Sequence, residues 1–263
     1  MAMSPRKRAQ VSRGVQYGIL LLIVVVLLVV ADWELILSQF LDTEILLGLM
    51  PEIFTTALKN TLLYTAAAFT FGLIVGLLLA LMRLSSVGPY RWLATGVIEF
   101  FRGVPALVVF IAFQFGLPIA FGVVMPGGIL GTVTVALGLV GAAYMAETIR
   151  AGIQAVPKGQ MEAARSLGMS HSRAMISIVV PQAFRIVLPP LTNELILLTK
   201  DSSLVYLLGL SAASAELTKF GRDALNETVN MTPLIGVAFC YLLITVPLSI
   251  AVRRMEARAE KAR

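Results

Sequence analysis

Asn193, Glu194, Lys200, Asp201, Ser202 and Ser203 lie within and just after the apolar run 183–198, which Arg185 also interrupts. Charges inside hydrocarbon-compatible segments are costly and mark function more often than not. At helical spacing, Asn193, Lys200 and Ser203 form one stripe, while Glu194 and Asp201 share the neighbouring one. Together they offer donors for a carboxylate and acceptors for an ammonium, the chemistry needed to hold a small zwitterion such as an amino acid. Pro189 and Pro190 lie just before the stripe and would free backbone carbonyls to line a cavity. An equally consistent reading ends the helix with Lys200 and Asp201 at the bilayer surface and pairs Glu194 with a neighbouring subunit.

Glu147 and Arg150 stand three residues apart, within reach on one helix face, and read as a structural or gating pair. Tyr144 and Tyr206 could close a site, although lone aromatics in a helical bundle are usually packing residues. Arg102 reads as an interfacial anchor at a helix end. Catalysis finds little support. His171 and Cys240 each occur once, which removes histidine-based triads, zinc sites and disulfides within the chain. No Gly-x-x-x-x-Gly-Lys-Ser/Thr phosphate loop is present.

The elements that must position these residues follow from composition. Of 263 residues, 58% are hydrophobic and 14% charged, the signature of an integral membrane protein. Apolar runs at 17–31, 61–82, 103–146 (folded back at Pro126-Gly127-Gly128), 183–198 and 231–252 predict an all-α, multi-span bundle of about six helices. A signal peptide is the alternative for the first run. The segment 32–52 holds Asp32, Glu34, Asp42, Glu44 and Glu52 with no basic residue, so it belongs outside. In this topology 17 of the 21 basic residues fall on one side, which the positive-inside rule makes cytoplasmic, with both termini. The basic residues flank apolar runs and form no stripe, which argues against nucleic acid. Gly72 and Gly76 supply a close-packing face on the 61–82 helix.

One segment fits none of these helices. Residues 160–181 form a polar, basic hairpin that must lie in water and touch a partner. Pro157 opens a helix, Gly168 ends it with a left-handed cap, and Ser170 or Ser172 caps the next. Met161, Ala164 and Leu167 or Gly168 share one face of the first helix, small enough for a partner's backbone to approach. Glu162 and Arg165 point elsewhere.

Glu162-Ala163-Ala164, the spaced Gly168, and Ile178-x-Val180-Pro181 resemble the EAA loop of permease subunits of ABC importers, with Val180 where that family most often has Leu. The stretches 99–105, 143–147, 150–154, 156–160, 181–183 and 200–204 are similar to the polar amino acid permeases, and the resemblance spans roughly residues 56–256. It implies a five-helix importer core plus an N-terminal helix. Residues 1–16 are then a cytoplasmic basic N-terminus, 17–55 a membrane helix with an external segment, 56–252 the permease domain with its EAA loop at 157–181, and 253–263 a basic cytoplasmic tail.

The resemblance further implies that Pro157, Gly159, Glu162, Ala163, Ala164, Gly168 and Pro181 belong to a coupling helix that docks in a groove of a cytoplasmic ATPase. Glu162 would make a polar contact across that joint. Expected partners are a second permease, the same or homologous, two ATP-binding subunits, an external amino acid binding protein and the lipid bilayer of the bacterial inner membrane. No cofactor is expected in this chain, ATP and Mg being bound by the ATP-binding subunits, and no catalytic or metal residue is expected. An autonomous channel or secondary carrier for small polar solutes is the alternative.

Overall fold

A computed structural model describes the backbone of residues 5–261 and the side chains of residues 10–258. Residues 1–4 and 262–263, the ends of the two expected basic termini, lie outside the described residues, as do the side chains of Arg6, Lys7 and Arg8. The described chain is helical with no strand. Among the described residues, five helical rods are long and apolar enough to cross a bilayer, and a pair bent by 105° has the length and composition of a broken span or a re-entrant loop. A multi-span all-α bundle is therefore observed.

The first helix, α1 (Pro5–Val30), carries the basic N-terminal residues in the same rod as the apolar run. Every described side chain of α1 is exposed, so it stands free of the rest of the chain with its apolar surface uncovered. Two short helices follow, α2 (Trp33–Phe40) and α3 (Thr43–Gly48), because Asp32 and Asp42 each cap a new helix start. They are fastened to the far end of the chain. Asn230 Nδ2 donates to Ser38 O at 2.8 Å, Met231 N donates to Gln39 O at 2.8 Å, and Asp42 N donates to Thr232 Oγ1 at 3.0 Å.

The centre of the bundle is the pair α4 (Lys59–Leu84) and α8 (Gly128–Ala155). Water is absent from the hydrocarbon core, so helices there associate through close backbone approach at small residues. A Cβ on Gly72 would lie 2.8 Å from Gly138 O, one on Gly76 would lie 2.9 Å from Ala142 O, and one on Gly138 would lie 3.0 Å from Ala68 O. The expected packing face at Gly72 and Gly76 is thus the seam of the whole bundle.

Between these two helices run α5 (Gly88–Gly103), α6 (Ala106–Ile111) and α7 (Leu117–Phe121), the last two joined by a π turn. The 105° bend falls at Val104-Pro105. Proline pushes its predecessor out of the helical region, and Val104 is extended at φ −95°, ψ 130°. The return turn uses Gly127 and Gly128 at φ 83° and 62°, as expected from Pro126-Gly127-Gly128. A Cβ on Gly131 would fall 1.8 Å from Pro126 O, so that turn is closed by glycine alone.

After α8 come α9 (Lys158–Ser166), α10 (His171–Ala174) and α11 (Val180–Asp201). α10 and α11 run together through π and 3-10 turns as one rod, His171–Leu208. Pro189 and Pro190 sit inside α11 without ending it. α12 (Leu217–Thr228) is an amphipathic surface helix, and α13 (Thr232–Lys261) continues through Arg253-Arg254 without a break. The loop before α12 is laced to α4: Asn60 Nδ2 donates to Ala213 O and Ala215 O, both at 2.9 Å, Tyr64 OH donates to Ser214 O at 2.8 Å, and Leu217 N donates to Thr61 Oγ1 at 3.0 Å.

The seam makes a direct prediction. Gly72→Ala puts a methyl group against a backbone carbonyl and is expected to destabilise the bundle by about 1–3 kcal/mol. Gly18→Ala, where a Cβ meets nothing within 4 Å, is expected to be neutral. Melting midpoints of the two variants in one detergent check the difference.

Candidate functional site: a charged cavity above a helical hairpin

The break at Val104-Pro105 opens a cavity of about 500 Å³ between α5, α6, α8 and α11. Glu194 and Asp201 of α11 line one wall, Gly141 and Tyr144 of α8 another, and Arg102 with the chain to Ala106 the third. Both carboxylates are partly buried. The Arg102 guanidinium lies 5.7 Å from the Tyr144 ring centre, in cation–π range, and 3.8 Å from Glu99 Oε1. The hollow thus presents two carboxylates, one guanidinium and one phenol.

The six polar residues anticipated on α11 divide by helical phase. Glu194 and Asp201 face the cavity, whereas Asn193 and Lys200, each one residue away and so turned by about 100°, are exposed and do not line it. Ser202 is buried and donates to Thr199 O at 2.7 Å, tying the end of the helix, and Ser203 is partly buried away from the cavity walls. The carbonyls freed by Pro189 and Pro190 belong to Arg185 and Ile186, which are not among the lining residues.

Arg102, read from sequence as an interfacial anchor, also lines the cavity wall, and Tyr144 joins it there. The signal for Arg102 was its place directly before Gly103-Val104-Pro105. A helix broken at that point leaves its last side chains beside an opening.

The Glu147–Arg150 pair proves to be part of a larger network. Arg150 Nη2 and Nε donate to Glu147 Oε2 at 2.8 and 3.2 Å, Arg150 Nη1 donates to Gln154 Oε1 at 2.6 Å, and Arg83 of α4 donates to Glu147 Oε1. Arg83 also lies 3.9 Å from Glu99, which in turn faces Arg102. Alternating charges therefore run from the hairpin end of α8 to the cavity wall. The third member, Arg83, comes from an element distant in sequence.

The hairpin forms as its turn chemistry dictates. Pro157 precedes α9 at φ −56°, ψ 130°, and Gly168 adopts φ 82°. Gly168 N donates to Arg165 O at 3.0 Å and Met169 N to Ala164 O at 3.2 Å, closing the cap. Of the two candidate serines, Ser170 is the cap, accepting from Arg173 N at 3.4 Å. The Met161 and Ala164 face turns inward: Met161 packs against Val156, Val179 and Ala183, and Ala164 is buried. This differs from the expectation that Ala164 would admit a partner's backbone: its own chain occupies that face. Glu162, Ala163, Leu167 and Gly168 remain exposed, as do Gly159 and Pro181. Gln182 Nε2 donates to Gln160 Oε1 at 3.3 Å and joins the hairpin to α11.

With this geometry established, comparison with known proteins is decisive. The family model for the binding-protein-dependent transport system inner membrane component matches residues 72–261. The chain belongs to this family. Among its relatives, the probable glutamine ABC transporter permease protein GlnM of Bacillus subtilis is 42% identical over 77% of this chain and 91% of its own length. The glutamate/aspartate import permease protein GltK of Escherichia coli is 34% identical over 75% and 89%. A crystal structure of an amino acid ABC transporter with histidines is similar at 36% identity and TM-score 0.73, covering 83% of this chain and 99% of that one. The MetNI methionine ABC transporter, at 19% identity and TM-score 0.65 over 80% and 97%, shares the fold. The permease is thus an integral membrane component of a multi-part transport system.

One buried acid of the permease lies outside the candidate spans. Glu216, fully buried, caps α12 by accepting from Thr218 N at 2.6 Å and Lys219 N at 2.8 Å, and it accepts from Tyr241 OH at 3.3 Å. Burial raises its pKa to about 7 from 4.5, outweighing the hydrogen bonds that favour the anion. Because the folded value is the higher one, Glu216 is least costly below pH 4.5, and stability falls as pH rises toward 7. The loss is on the order of 3 kcal/mol. The melting midpoint is expected to drop between pH 5 and 8, and Glu216→Gln to flatten that dependence, as read by paired melting curves.

Proposed function

We propose that the permease is the translocation subunit of an ATP-driven, binding-protein-dependent importer of a polar amino acid. It lies in the bacterial inner membrane with both termini cytoplasmic. The observation that carries this reading is the cavity faced by Glu194, Asp201 and Arg102, inside a chain whose relatives are named for glutamine, arginine and glutamate/aspartate transport. Arg102 suits the ligand carboxylate. Glu194 and Asp201 stand two helical turns, about 10 Å, apart along α11, a separation that fits a ligand with two donor groups: the α-ammonium at one end and a guanidinium or amide at the other. With two acids against one base, arginine or glutamine is favoured over glutamate.

Work enters through the hairpin. Two ATP-binding subunits, which also hold ATP and Mg, dock on the exposed residues Glu162, Ala163, Leu167 and Gly168. A second permease and an external amino acid binding protein complete the assembly. Since His171–Leu208 is one rod, a displacement at α10 is carried along the same helix to Glu194 and Asp201. Import then requires the cavity to hold its ligand with different affinity in the two positions of that rod.

Glu194→Gln is expected to lower arginine or glutamine uptake at least tenfold, mainly through KM, in vesicles containing all subunits. Unchanged uptake would remove the cavity from the pathway. Gly168→Val, which forces a β-branched residue to φ 82°, and Glu162→Ala are expected to abolish uptake and substrate-stimulated ATP hydrolysis while membrane insertion is retained. Normal uptake in both, or flux through the permease without ATP-binding subunits, would point to an autonomous channel or carrier instead.

A further inference from the structure

A second hollow, of about 570 Å³, opens beside the charge network and has no role in the transport reading. Its walls hold Arg83, Arg91 and Arg150, together with Trp92, Gly96 and Gln154. Only Glu147 offsets the three guanidiniums at close range, bridging Arg83 and Arg150, while Glu99 is shared between Arg83 and Arg102 at 3.9 and 3.8 Å. Arg91 is exposed and makes no side-chain hydrogen bond or ion pair with any described residue. The hollow is therefore a net positive site with room to spare. A Cβ at Gly96 would meet nothing within 4 Å.

We propose that this hollow binds the phosphate headgroup of an anionic phospholipid. Two observations favour a lipid over a free anion. First, α5 is amphipathic: Ala94 and Ile98 are fully buried against the bundle, while Tyr90, Trp92 and Leu93 are 56%, 71% and 60% exposed. An indole at the rim of a basic notch, with apolar neighbours, matches the depth where acyl chains give way to headgroups. Second, α4 ends at Leu84 just past Arg83 and α5 begins at Gly88, so Arg91 and Trp92 stand near the charged end of an apolar span, the level at which lipid headgroups lie. Basic pockets between membrane helices are suited to such headgroups. Arg91 supplies the charge not already committed within the protein. Arg83 and Arg150, held by Glu147, stand at fixed positions behind it.

The test uses the full chain, purified and stripped of lipid, in native mass spectrometry with added phosphatidylglycerol or phosphatidylcholine. The expected result is at least a fivefold preference for phosphatidylglycerol, lost in Arg91→Gln and in Gly96→Leu, which fills the notch without changing charge. Both substitutions are on exposed surface, and unchanged melting midpoints in phosphatidylcholine establish that the variants are folded. The proposal is overturned if both variants keep the preference. It is equally overturned if millimolar inorganic phosphate displaces the bound phosphatidylglycerol, which would make the site one for a free anion.

Discussion

The structure depends on how closely α4 and α8 approach. Inside a bilayer, apolar side chains gain nothing by leaving lipid for protein, so the stabilising contacts must come from backbone surfaces brought within van der Waals range. Gly72 and Gly76 provide that surface on α4, and Gly138 and Ala142 receive it on α8. With this seam in place, α8 has a fixed rotation. Gly141 and Tyr144 then face the cavity, and Glu147 faces Arg83.

The cavity is a by-product of a local constraint placed beside that rigid pair. Pro105 bends the chain and leaves Arg102 at the end of α5, with α6 starting off at a steep angle. The space between the bent segment, α8 and α11 is therefore unfilled by backbone. Charge reaches it from two directions: Arg102 is steadied by Glu99 and Tyr144, and the acids come from α11. Desolvated charges of this kind are tolerated because each faces an opening or an opposite partner.

The hairpin is a small folded unit in its own right. Met161 seats α9 on Val156, Val179 and Ala183 and Ala164 is buried beside it in the fold, so the unit shows its polar edge to whatever docks there. Its second helix continues into the span that carries Glu194 and Asp201. The connection between docking edge and cavity wall is a single stretch of hydrogen-bonded helix.

Much of this is written locally in the chain. Apolar runs bounded by arginine mark the spans, Pro126-Gly127-Gly128 marks a turn, and Pro157, Gly168 and Ser170 mark the hairpin, because each acts through its own φ/ψ preference or through a neighbour a few residues away. The spacing of Glu194 and Asp201 likewise places them on one stripe of α11 before any fold is known. What the tertiary structure decided is which stripe of a helix meets which neighbour. It selected Glu194 and Asp201 over Asn193 and Lys200, turned Ala164 inward, brought Arg83 to Glu147 and Arg102 to the cavity, and added α12. In an apolar bundle nearly every face is hydrophobic, so periodicity cannot tell lipid-facing from protein-facing sides. That assignment comes from packing between segments far apart in sequence.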